Sequence, residues 1–160
     1  MFAHKKIMVV DQDEDVREIL KYNLEKENYI VKTYKHALNA FHALDYFKPD
    51  LILINWLMPE ISGFEFYNKI KKHPSITNIP IIFVTCKSDV SEVTDAFGMD
   101  ADNYFIKPFQ LNEWMLQIKK KLNRTENITF RHQKKKFKYI DSYSLIKNNW
   151  MRSNNRLRIL

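Results

Sequence analysis

The stretch from Pro49 to Phe66, PDLILINWLMPEISGFEF, runs from aliphatic residues into a polar break and then into helical spacing. Leu51 to Ile54 is an unalternated aliphatic run, the pattern of a strand buried on both faces. Asn55 ends it. A helix is expected to begin after Gly63 and to stop before Pro74, because proline disfavours helix in the residue before it. Similar apolar runs lie at Ile7 to Val10, Tyr29 to Val31, Ile81 to Val84 and Tyr104 to Ile106. Between and after them, residues at helical spacing form apolar stripes: Val16, Ile19, Leu20 and Leu24; Ala37, Ala40, Phe41 and Leu44; Val90, Val93 and Phe97; Leu111, Trp114, Met115 and Ile118. A strand followed by a helix, five times over, predicts an α/β fold with a doubly wound five-stranded parallel sheet and right-handed crossovers. In such sheets chemistry collects at the carboxyl ends of the strands. The residues at those exits are Asp11, Gln12 and Asp13, then Asn55 and Trp56, Thr85 and Cys86, and Lys107 and Pro108.

A chain of 160 residues with 45% hydrophobic content fills one core with an appendage left over. The single cysteine, Cys86, excludes an internal disulfide framework and suits a reducing compartment. No apolar run is long enough to span a membrane, and the opening MFAHKKIMVVDQ meets acid too early for a signal peptide, so a cytoplasmic protein is expected. Charge is unevenly spread. Of the 26 Lys+Arg and 19 Asp+Glu, residues 122–160 hold 10 and 2, a net +8, which leaves −1 for residues 1–121. A basic tail beside a neutral body suggests an acidic surface or nucleic acid as its partner, or simply a solvated extension.

Together, KIMVVDQDEDV, PDLILINWLMPEISGFEF, IPIIFVTCKS and DADNYFIKPF resemble the CheY-like receiver domain of two-component response regulators, in order and at the expected spacing from residue 5 to about 122. The resemblance implies a flavodoxin-like receiver at residues 1–122 and a basic linker or extension at 123–160. It also implies a histidine kinase partner, and protein contacts or homodimerisation through the face of the fourth helix, fifth strand and fifth helix. In that family, acids after the first strand hold Mg²⁺, an aspartate after the third accepts a phosphoryl group, and a hydroxyl residue and a lysine respond. By position Asp11 matches one acid, Thr85 the hydroxyl residue, Lys107 the lysine and Tyr104 the aromatic switch residue. Lys107-Pro108 matches the family's cis-proline turn.

Two positions depart from the pattern. Asn55 stands at the acceptor position, and a carboxamide is neither an adequate nucleophile nor an anionic ligand. Gln12 replaces the second acid of the metal pair, and Asp13 is one residue out of register. With Asp11 as the one matched acid facing Lys107, Mg²⁺ affinity is expected to be weak at most. The expected protein is a pseudo-receiver that needs no cofactor, in which Asn55 bonds to Lys107, Asp11 or Thr85 and holds the pocket in one state.

Remaining residues receive plainer readings. Trp56 is expected on a partly exposed loop and Cys86 as a small packing residue. His4, His36, His42, His73 and His132 lack ligand spacing and are expected at the surface. Asp100 replaces the usual glycine of its turn and tolerates a left-handed conformation better than most residues. In the tail, Ile128 to Phe130, Tyr139 to Lys147 and Arg156 to Leu160 read as short strands between asparagine turns, weakly resembling the β platform that opens an OmpR/PhoB-type winged-helix effector. No recognition helix follows, so any DNA contact through the tail is expected to be nonspecific and salt-dependent. A different reading starts from Asp11 and Asp13 as the nucleophile and acid of a haloacid-dehalogenase-like phosphatase. It lacks the acidic pair that family needs after its lysine, so no enzymatic activity is expected.

Overall fold

The computed structural model describes residues 4–91, 95, 104–108 and 110–123. Five strands form one sheet: β1 (Lys6–Val10), β2 (Ile30–Tyr34), β3 (Leu51–Asn55), β4 (Ile81–Cys86) and β5 (Tyr104–Lys107). All neighbours are parallel and their order is β2-β1-β3-β4-β5. This is the doubly wound sheet expected from the alternation of strand and helix patterns. The reversal of strand order falls between β1 and β3, so the exits of those two strands flank the switch point.

Helices α1 (Glu14–Lys26), α2 (Ala37–Phe47) and α3 (Gly63–Lys72) follow the first three strands, and a further helix spans residues 111–123. The stripe expected at Val90, Val93 and Phe97, together with Asp100 and the tail with His132, falls largely or wholly outside the described residues. The strand expected at Tyr29 to Val31 is displaced to Ile30–Tyr34. Tyr29 closes the turn after α1 instead, its N–H donating to Leu24 O at 3.2 Å. The sequence hides the later half of β2 because Lys32, Thr33 and Tyr34 lie at a sheet edge, where no second strand demands an apolar run.

Side-chain alternation along the central strands divides the interior in two. Met8, Val10, Ile52, Ile54 and Phe83 meet α2 and α3 on one side. Ile7, Val9, Leu51, Leu53, Ile82 and Val84 meet α1 and the helix 111–123 on the other, where Trp114 stacks on Phe105 with ring centroids 4.2 Å apart. Trp114 and Ile118 are buried, as their stripe predicts. With both sheet faces filled this way, the strand exits become rigid mounts for polar side chains.

Local signals set the helix starts beside those exits. Asp13 caps α1 by accepting from the N–H groups of Asp15 and Val16. Ser62 and Glu65 form a reciprocal capping box on α3, and those bonds from Ser62 hold the exposed Glu65 carboxyl below its ordinary range. The turn between β3 and α3 is tight: a Cβ on Gly63 would lie 2.5 Å from Asn55 O, so only glycine fits against the end of β3.

Candidate functional site

Asp11 follows β1 and is 1% exposed, yet its carboxylate is fully engaged. The N–H of Asp13 donates to Oδ1 at 3.0 Å, Asn55 Nδ2 donates to the same oxygen at 3.2 Å, and Lys107 Nζ donates to Oδ2 at 2.9 Å. Three strands thus contribute to one cluster: β1 leads into Asp11, β3 ends on Asn55 and β5 ends on Lys107. The Asn55 amide, 8% exposed, must turn its nitrogen toward Asp11, because the facing carboxylate oxygen can only accept. The Lys107–Asp11 ion pair is backed by further donors, the condition under which a buried charge pair persists.

Thr85 is buried at the exit of β4, its hydroxyl making one long bond of 3.4 Å to Cys86 O. Tyr104 is half-buried and packs against the core on the α2 and α3 side. Gln12 is exposed. Asp13, also exposed, spends its carboxylate on the α1 cap. The peptide bond joining Lys107 to Pro108 is cis, as expected.

Several expectations are corrected. Trp56 is only 6% exposed: it continues the alternation of Ile52 and Ile54 into the core and packs on Phe83 and Phe64, with centroids 5.3 and 5.8 Å away. Cys86, the last residue of β4, is exposed rather than packed. His36 is half-buried at the start of α2 without capping it, whereas His4, His42 and His73 are exposed as expected.

Arg17 was not legible as a site residue. Its guanidinium reaches back one turn to donate to Asp11 O at 2.8 Å and Gln12 O at 3.0 Å. The available signal was its place four residues after Asp13, on the same face of α1 as the cap.

The family model described as the response regulator receiver domain matches residues 7–119. This chain belongs to that family. Its receiver is 34% identical over 121 residues to the phosphate regulon transcriptional regulatory protein PhoB of Rhizobium meliloti (strain 1021), covering 76% of this chain and 53% of that protein. It is 32% identical over 123 residues to the alkaline phosphatase synthesis transcriptional regulatory protein PhoP of Bacillus subtilis (strain 168), covering 77% and 50%. The chain spans about half the length of these curated relatives. Among solved structures, it is similar to the signal receiver domain of a signal transduction histidine kinase from Syntrophus aciditrophicus, with a TM-score of 0.67, 28% identity, and coverage of 74% of this chain and 90% of that one. It is therefore a receiver of two-component signalling, related to OmpR/PhoB-type regulators. No helix among the described residues is long and apolar enough to cross a membrane.

Proposed function

We propose that this receiver signals without aspartyl phosphorylation and acts through protein contacts. The observation that carries this reading is the Asn55 Nδ2 bond to Asp11 at 3.2 Å, opposite the Lys107 bond at 2.9 Å. A carboxylate at position 55 would face Asp11 across that distance and need a cation between them. The amide turns a repulsive pair into a donor and an acceptor, and Lys107 neutralises the remaining charge. An Asn55 carboxamide, its nitrogen lone pair delocalised and its oxygen uncharged, forms no acyl phosphate.

A resident Mg²⁺ does not fit this donor set. Both oxygens of Asp11 already accept from protein donors, Gln12 is neutral, Asp13 caps a helix, and no three His, Cys, Asp or Glu side chains converge among the described residues. Asp13 in its capping role also withdraws the second acid that a phosphatase built on Asp11 would require.

The remaining output is recognition. β5 and the helix 111–123 expose Ile106 and Leu116, which supports contacts with a partner or a second copy on that face. The names of the relatives support transcription control as the process, and the receiver family supports a histidine kinase as the partner, from which this receiver takes no phosphoryl group. Incubation with acetyl phosphate and Mg²⁺ tests the reading: the intact mass is expected to stay unchanged, and a stoichiometric phosphoryl gain within the receiver would overturn it.

A further inference from the structure

Beside α2, two cations converge with no ion pair among the described residues. Lys6 at the start of β1 and Lys32 in β2 both lie over the ring of Phe47, with Nζ 5.8 and 5.1 Å from its centroid, and Lys32 also lies 5.4 Å from that of Tyr46. Neither ammonium has an ion pair among the described residues; the nearby Asp50 carboxylate is taken by Lys5 Nζ and the Lys6 N–H. Around them lies exposed apolar surface, Ile30 at 44% and Tyr46 at 67%.

Among the described residues β2 has a neighbouring strand on one side only, so its other edge is open. Ile30 N donates to Lys5 O and Tyr34 O accepts from Asp11 N, so the even-numbered residues of β2 direct their backbone groups toward β1. In a parallel ladder the alternate residues face the other way. Val31 and Thr33 therefore present their N–H and C=O groups outward.

We propose that this edge receives an extended, acidic segment of a partner protein, which adds a strand beside β2 and sets carboxylates against Lys6 and Lys32. The outward backbone groups favour a peptide over a nucleic acid, which has no matching ladder of amides. The lysines favour an acidic partner over a second copy of this edge, since self-pairing would bring like charges together. The site uses the outer edge of β2 and none of the side chains of the Asp11, Asn55 and Lys107 cluster, so it stands or falls separately from the pocket.

The test uses the full chain and a fluorescein-labelled peptide of alternating glutamate and valine, with a lysine–valine peptide and an oligo-dT strand as controls. Because the basic tail attracts any polyanion, the readout is local. Slowed amide hydrogen exchange at Val31 and Thr33 is expected with the acidic peptide alone. Lys32→Glu is expected to weaken binding about tenfold or more. Thr33→Pro, which removes an outward N–H and no ladder bond, should do the same with little change in Tm. Unchanged exchange at both amides overturns the proposal, as does equal affinity in both variants. Oligo-dT protecting the same amides would assign the face to nucleic acid instead and likewise overturn it. If Thr33→Pro unfolds, Lys32→Glu and the exchange data still decide.

Discussion

Replacing Asn55 with aspartate exchanges a hydrogen-bond donor for a negative charge at nearly constant shape. If the new oxygen takes the place of Nδ2, it stands 3.2 Å from Asp11 Oδ1. At an effective dielectric constant of about 20, two unit charges at that separation repel by about 5 kcal/mol. Lys107 sits on the far oxygen of Asp11 and returns roughly half of this by its attraction to the new carboxylate. The lost hydrogen bond adds about 1 kcal/mol, for a net destabilisation of about 3.5 kcal/mol. In a domain of this size that is a fall in Tm of about 10 °C. Thermal unfolding at neutral pH without divalent ions should show the deficit, and added Mg²⁺ should restore a large part of it, because a cation then has two carboxylates to bridge. An Asn55→Asp protein as stable as the parent, and indifferent to Mg²⁺, would refute the electrostatic argument.

Other consequences follow from the same geometry. Gly63→Ala drives a Cβ to within 2.5 Å of Asn55 O and should cost about 3 kcal/mol or more in urea unfolding, by displacing the end of β3. Glu60 has φ 71°, so Glu60→Gly should raise stability by about 0.5 kcal/mol by relieving a left-handed residue. The carboxyl of Glu65 is held low by Ser62, so the box contributes stability above the ordinary carboxylate range and loses it as pH falls below that range. Ser62→Ala should flatten that acid limb and cost about 1 kcal/mol at neutral pH. Trp56, packed between Phe64 and Phe83, should resist iodide quenching; quenching as efficient as that of free tryptophan would contradict its burial.

Parallel direction and most of the core were legible because β1, β3 and β4 are buried on both faces and must be continuously apolar. The edge was not. β2 carries Lys32 and Thr33 where a central strand would carry aliphatic residues, so its second half looks like a loop. Within the site, the types and order of Asp11, Asn55, Thr85 and Lys107 pointed to one cluster, since parallel strands deliver their exits to one end of a sheet. Which atoms meet was beyond the sequence: Asn55 had three candidate partners, and its bond falls on Asp11. Trp56 was misjudged because its loop position suggested exposure, whereas strand parity carries its indole into the core. Arg17 escaped notice because its contacts are to backbone carbonyls, which leave no trace in side-chain types.

The Asp11 carboxylate is satisfied by Asn55, Lys107 and the Asp13 N–H, which leaves it no need of a cation. Paramagnetic broadening by Mn²⁺, followed by amide NMR on this protein and on Asn55→Asp, tests that most directly. No selective broadening is expected at Asp11, Gln12, Asn55 or Trp56 in the parent, and clear broadening is expected there in the variant. Saturable, selective broadening of those amides in the parent would show a working metal site and an Asp11 carboxylate still open to cations.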